Sequence, residues 1–251
     1  MKRTAITTDC SRVPVVILAG GRGARLRPLT LALPKPLLPV HGEPILGHLL
    51  RQLRTQGFRR VFLTLGHLSD LVMTYVSSRF KDLAIESVIE RYPLGTAGPL
   101  RLIAERYRLS GPILVVSGDI LSTIRFDRVV RYHQAERSQL TVAGLTHYYQ
   151  LPFGEITLRG GQVVAISEKP RVPFMISTGV YVVDRSVVNL IPPRRRFGMS
   201  CLIDAAVKVN ARVRGYHFKG QWRAVDEFSD LMAANETRGS RRTSSRSGRL
   251  P

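Results

Sequence analysis

The chain has 251 residues, of which 44% are hydrophobic, enough for a buried core, and no apolar run approaches the roughly 20 residues that span a bilayer. Two cysteines, Cys10 and Cys201, make neither a disulfide scaffold nor a metal site by spacing, so a reducing, cytoplasmic setting is expected. The net charge of +20 is scattered through every predicted element, which favours anionic small substrates over nucleic acid as the partner.

The first twelve residues form an N-terminal segment in which Asp9, Ser11 and Arg12 interrupt any secretory apolar core after Lys2 and Arg3. Val13 to Leu18, broken only by Pro14, reads as a buried strand. It ends in Ala19, Gly20, Gly21 and Gly23, where the chain can turn tightly and offer bare backbone N–H groups to a ligand. Arg22, Arg25 and Arg27 crowd the same turn and repel one another unless an anion neutralises them, and the guanidinium fork suits phosphate oxygens. Lys35 follows, held between Pro34 and Pro36, which stiffen the backbone that carries it. Together these residues read as a polyphosphate cradle. Spacing excludes the two commoner phosphate loops: no Gly-Lys-Ser/Thr triplet occurs, and Leu26 replaces the third small residue of a dinucleotide fingerprint.

Pro44 opens a helix that stops at Gly57, and Val61 to Leu65 is a strand. A helix capped by Ser69 or Asp70 runs to about Phe80, before a strand over Leu83 to Ile89. A second glycine turn, Gly95-Thr96-Ala97-Gly98, opens a helix to about Leu109. It is expected to leave a smooth surface and free helix N–H groups for a base or ribose. Ile113 to Ser117 is a strand ending in Gly118-Asp119, where a carboxylate is costly unless paired or bound to a hard cation such as magnesium.

A helix over about 125–137 and a strand over 140–145 complete an alternation that implies a mostly parallel sheet covered on both faces. After Gln150 come a glycine-turn hairpin over 156–166, strands over 180–183 and 213–218, and helices over 187–190, 202–209 and 226–235. These make one domain over 13–236, whose pattern changes at about 150 to give halves at about 13–150 and about 151–236. The basic tail, 237–251, is expected to be disordered, since Gly239 to Arg249 offers no apolar residue to bury.

The run Leu18-Ala19-Gly20-Gly21-Arg22-Gly23-Ala24-Arg25-Leu26-Arg27-Pro28-Leu29-Thr30, followed by Pro34-Lys35-Pro36, resembles the opening motif of the sugar-1-phosphate nucleotidylyltransferases. The resemblance extends over roughly Val13 to Asn235 and implies a nucleotide-binding half at about 13–150 and a sugar-binding half at about 151–236. It implies a Rossmann-like three-layer α/β/α sandwich of the nucleotide-diphospho-sugar transferase type, built on a mostly parallel mixed sheet. A nucleoside triphosphate and a sugar 1-phosphate would condense to an NDP-sugar and pyrophosphate.

On the same resemblance, Leu18, Ala19, Gly20, Gly21, Gly23 and Arg25 bind the nucleotide together with Gly95, Thr96, Ala97 and Gly98. The phrasing Pro93 to Leu100 is most often that of mannose-1-phosphate guanylyltransferases. Arg25, Lys35 and Asp119 would be catalytic. Gly154, Glu168, Lys169, Ser177 and Gly179 match the sugar-phosphate side, although the family more often has Asn-Ala-Gly where this chain has Ser177-Thr178-Gly179. Magnesium is implied on Asp119 and a second aspartate. Many relatives carry the latter two places after a tryptophan, where this chain has Ala224; a subset carries it four places after, where Asp226 stands, and Asp226 is taken as the ligand. The departure at Ala224 supports an alternative, a catalytically weak NDP-sugar-binding homologue, and the basic charge a second one, RNA binding. The base, the sugar and any homo-oligomer are left open.

Overall fold

The computed structural model of the chain describes residues 9–90 and 92–236. Its strands are β1 (Val15–Leu18), β2 (Pro39–Val40), β3 (Glu43–Pro44), β4 (Arg60–Leu65), β5 (Ala84–Ile89), β6 (Ile113–Ser117) and β7 (Ile120–Ser122). There follow β8 (Leu140–Gln150), β9 (Glu155–Arg159), β10 (Gln162–Ser167), β11 (Arg171–Val183), β12 (Val213–His217) and β13 (Trp222–Ala224). The helices are α1 (Leu29–Ala32), α2 (Ile45–Thr55), α3 (Ser69–Arg79), α4 (Gly98–Arg106), α5 (Phe126–Ala135), α6 (Arg185–Val188), α7 (Met199–Lys208) and α8 (Phe228–Glu236). The tail expected to be disordered, 237–251, and the first eight residues of the N-terminal segment lie outside the described residues.

Seven strands share one sheet in the order β12-β8-β11-β6-β1-β4-β5. β1 pairs in parallel with β4 and β6, β4 with β5, and β8 with β12, whereas β11 runs antiparallel to both of its neighbours. The central strands β1, β4 and β6 are apolar over most of their length because both of their faces are covered. Val15 and Ile17 point into one core with Leu46, Leu50 and Leu53 of α2 and Val129 and Val130 of α5. Val16, one residue out of phase, points into a second core with Leu100 and Ile103 of α4 and Leu202 of α7. Helices on both faces of a mostly parallel mixed sheet make the three layers that the sequence implies.

Most element positions agree with the sequence reading, and three details differ. The strands over 140–145 and 180–183 are the buried ends of longer ones, since β8 continues to Gln150 and β11 begins at Arg171. Only those ends lie in the core, and the outer halves pair with each other in solvent. Neither Ser69 nor Asp70 caps α3; its N-cap is Leu68, in the left-handed region at φ 58°, with no side-chain capping bond. β7 and β13, three residues each, pair antiparallel beside the carboxyl end of β6.

Leu50 is fully buried between α2 and the sheet. Leu50→Ala is expected to cost roughly 2–5 kcal/mol, read as a lower urea midpoint with an unchanged slope of unfolding free energy on denaturant.

Candidate active site

The chain leaves β1 and turns through Ala19 to Gly23 before a single 3-10 turn at Ala24–Leu26. Gly23 sits at φ 59°, and a Cβ there would lie 2.8 Å from Cγ2 of Thr30, whose hydroxyl donates to the Gly23 carbonyl at 2.8 Å. Only glycine allows the loop to close so tightly onto α1. A second 3-10 turn, Lys35–Leu37, follows Pro34 and aims the Lys35 side chain inward, where it is 12% exposed.

Lys35 Nζ donates to Asp119 Oδ2 at 2.5 Å and to Asp226 Oδ1 at 2.8 Å. Arg25 approaches Asp226 Oδ1 at 3.3 Å from the solvent side. The two aspartates, 107 residues apart in sequence, meet because β13 pairs with β7 in the register Ala224 to Ile120, and the Val225 N–H then donates to the Asp119 carbonyl at 2.9 Å. Asp226 is the next residue. The Asp230 carboxylate accepts from the backbone N–H groups of Asp226 and Glu227, so it serves the start of α8 and leaves the Asp226 carboxylate to Lys35. The bond from the Lys35 ammonium holds the Asp226 carboxyl below the usual carboxylate range, against the opposing effect of its partial burial. A third, smaller core containing Leu26, Leu38, Val225 and Leu231 fastens the phosphate loop to α8 and keeps these groups together.

Above this cluster opens a cavity of about 740 Å³. Leu18, Ala19, Gly20, Gly21, Gly23 and Arg25 line one wall, Gly95 and Thr96 another, and Lys35, Asp119 and Asp226 the floor. Ala97 and Gly98 do not reach it. Their N–H groups donate to the Phe197 carbonyl at 2.9 and 3.2 Å, which corrects the expectation of free helix N–H groups at this turn. Gly95, at φ 78°, would press a Cβ to 2.6 Å from the same carbonyl, and the Met199 N–H donates to the Thr96 hydroxyl. The second glycine turn is thus clasped from behind by residues about 100 positions away.

Glu90, at the end of β5, also lines the cavity and was not singled out by sequence reasoning. Its Oε2 accepts from the Leu94 N–H at 3.0 Å, and its other oxygen lies against Gly20, close enough that a Cβ there would sit 2.5 Å away. Burial pushes its carboxyl up from the ordinary range, and bonds from Leu94 and Thr64 pull the other way. Tyr92 and His67 line the same wall. A carboxylate at a strand end is commonplace in sequence; what distinguishes this one is its position between two glycine loops.

A family model described as nucleotidyl transferase matches residues 14–240. The chain belongs to the nucleotidyl transferase family. It is 32% identical over 231 residues to a mannose-1-phosphate guanylyltransferase of Mycobacterium tuberculosis, covering 88% of this chain and 63% of that one. It is 30% identical over 173 residues to a D-glycero-alpha-D-manno-heptose 1-phosphate guanylyltransferase of Aneurinibacillus thermoaerophilus, covering 68% and 75%. The crystal structure of HddC from Yersinia pseudotuberculosis, complexed with GMP-PN, superposes with a TM-score of 0.70 at 24% identity, over 90% of this chain and 99% of that one, a likeness of fold. The chain spans about three fifths of the length of the mannose-1-phosphate guanylyltransferases it matches.

The residues matched to the family's sugar-phosphate side divide into two groups. Gly179 packs against Ser117, which lines the cavity beside Asp119, and Ser177 exchanges a hydrogen bond with the Tyr181 hydroxyl at 2.9 Å. A bulge in β11 at this point turns the Thr178 carbonyl to accept from the Trp222 indole at 2.8 Å, tying β11 to β13. Gly154, Glu168 and Lys169 lie outside the cavity lining, at the exposed base of the β9–β10 hairpin. That hairpin forms a two-stranded sheet of its own and is not part of the central one.

Members of this family generally use a divalent metal. The donor set here fits one: two carboxylates already converge on a single cation, the Lys35 ammonium. Among the described residues no group of three or more His, Cys, Asp or Glu could enclose an ion. Asp119 and Asp226 are the carboxylates that could hold such an ion, with water and substrate phosphates as its other ligands. Lys35→Gln is expected to raise the Asp226 pKa, because it removes the cation between two carboxylates; a carbon-13 carboxyl titration reads the shift directly.

Proposed function

We propose that the chain transfers a guanylyl group from GTP to a sugar 1-phosphate, giving a GDP-sugar and pyrophosphate. The observation that carries this reading is the convergence of Lys35, Asp119 and Asp226 on the floor of a cavity walled by two glycine turns. In the reaction an oxygen of the sugar phosphate attacks the α-phosphorus in line, and the bond from phosphorus to the pyrophosphate oxygen breaks as the new one forms. The substrate phosphate is itself the nucleophile, so the protein contributes position and charge.

The backbone N–H groups of Gly20 and Gly21 would cradle the triphosphate, and Arg25, 70% exposed on its flank, would offset charge on the departing pyrophosphate. Lys35 would turn one of its three donors to the α-phosphate. Asp119 and Asp226 would hold magnesium, which when bound neutralises and orients phosphate oxygens. On the sugar side Lys169 would hold the phosphate and Glu168 accept from sugar hydroxyls, with Gly154, Ser177 and Gly179 alongside. Free thiols at Cys10 and Cys201 support a reducing, cytoplasmic setting.

Glu90 supports guanine as the base. Guanine alone among the four common bases presents a ring N–H and an adjacent exocyclic amine together on one edge, and a fixed carboxylate accepts from both. The relatives titled guanylyltransferases support the same choice and make mannose 1-phosphate the first sugar to try.

Pyrophosphate release from four triphosphates against a panel of sugar 1-phosphates tests the reading. GTP with mannose 1-phosphate should react fastest; equal rates with all four bases would remove the role of Glu90, and no release from any pair would remove the transferase. Asp119→Ala should lower kcat by about 10³-fold or more with an unchanged circular dichroism spectrum.

The pH dependence separates the two carboxyl groups. Glu90, raised by burial, takes up a proton before an ordinary carboxylate as pH falls, and Asp226, lowered by Lys35, takes one up later. GTP affinity should therefore weaken first as pH falls, while the Lys35–Asp226 bond persists to lower pH. Glu90→Gln should flatten that profile and erase the preference for GTP. The same variant should be more stable than the parent at neutral pH. A raised folded pKa means that the stabilising contribution of Glu90 exists only below its unfolded pKa and is lost as pH rises through the folded one.

A further inference from the structure

We propose that Phe197 is a positioning residue for the second glycine turn, and that the position it sets governs how tightly the nucleotide is held. Its peptide meets the turn at three points. Its N–H donates to the Leu94 carbonyl at 2.8 Å, and its carbonyl accepts from the N–H groups of Ala97 at 2.9 Å and Gly98 at 3.2 Å. The approach leaves no room for side chains, since a Cβ on Gly95 would fall 2.6 Å from the Phe197 carbonyl oxygen and one on Gly98 3.2 Å from that of Arg195. Two residues on, the Met199 N–H donates to the Thr96 hydroxyl at 2.7 Å. That N–H is the first of α7, whose own N-cap, Gly198, supplies no side-chain acceptor. Turn and helix start therefore satisfy each other.

A peptide holds a turn only as firmly as its own segment is held. Ile191 and Met199, both buried, bound this segment, and between them Pro193 to Arg196 are exposed. The Phe197 ring packs against the second core, the one that takes Leu100 and Ile103 of α4 and Leu202 of α7. It is the aromatic anchor of the peptide that makes the three bonds. Gly95 and Thr96 line the cavity and Lys35, Asp119 and Asp226 form its floor, while Phe197 is outside the lining. Removing the ring should therefore loosen the wall that Gly95 and Thr96 make and leave the floor in place. The effect falls on nucleotide affinity and not on the chemical step.

The clasp is read without any substrate from the amides of Ala97 and Gly98, whose hydrogen exchange should be about tenfold faster or more in Phe197→Ala than in the parent. The consequence for the nucleotide rests on the transferase reading. The same variant should raise KM for GTP about tenfold, with kcat and the KM for the sugar 1-phosphate changed by less than about twofold. Phe197→Leu, which keeps an apolar side chain against the core, should restore most of the affinity. Leu140 lies in the same core but, through Val183, level with the start of β6, a strand's length from the cavity. Leu140→Ala should lower the urea midpoint and leave KM for GTP unchanged. Where Phe197→Ala does not fold, Gly98→Ala takes its place, because its methyl group would lie 2.9 Å from Leu94 Cβ and open the clasp from the turn side, outside the cavity lining. Unchanged exchange, an unchanged KM for GTP, equal rises for both substrates, or the same rise in Leu140→Ala would each overturn the assignment. A parent chain that releases no pyrophosphate ends the transferase reading; the exchange rates then decide the clasp alone, faster exchange upholding it and unchanged exchange overturning it.

Discussion

One ammonium group organises the site. Two carboxylates close enough to share the Lys35 Nζ repel each other strongly in a partly buried setting, and that ammonium cancels the repulsion while keeping both oxygens pointed at one place. The lysine comes from a proline-stiffened turn, Asp119 from the end of a core strand, and Asp226 from the approach to the last helix. Three remote stretches must each be correctly placed for the contact to exist. The small core around Leu26, Val225 and Leu231 is therefore more than local packing, because it sets the distance between the turn and the helix.

The fold was legible where burial is two-sided. Val15 to Leu18, Val61 to Leu63 and Ile113 to Val116 are apolar at every position because a core lies on each face, and such runs leave little choice of element. Strand ends were less legible: outside the core, β8 and β11 continue through His147, Tyr148, Arg171 and Pro173, residues whose hydropathy carries no strand signal. Three-residue strands such as β7 and β13 offer no periodicity at all, yet their register is what brings Asp226 beside Asp119.

The site divides along the same line. Glycines, arginines and a proline-held lysine that lie close in sequence announce the phosphate loop, and the structure gathers them around one cavity. The misread turn at Ala97 and Gly98 fails for a physical reason: the carbonyl that takes their N–H groups belongs to Phe197, and no local pattern reports a partner 100 residues away. Glu90 was invisible for a related reason, since its neighbours Gly20, Thr64 and Leu94 come from three separate segments.

β11 is held differently at its two ends. Its inner half is wedged between β6 and β8, with Gly179 against Ser117 at the cavity wall, and its outer half follows the β9–β10 hairpin. The inner half has a neighbour on each side and the outer half only β8, with the bulge at Ser177 to Val180 between them. A substitution in the outer half therefore meets one neighbouring strand, whereas one at Gly179 meets Ser117 at the wall beside Asp119.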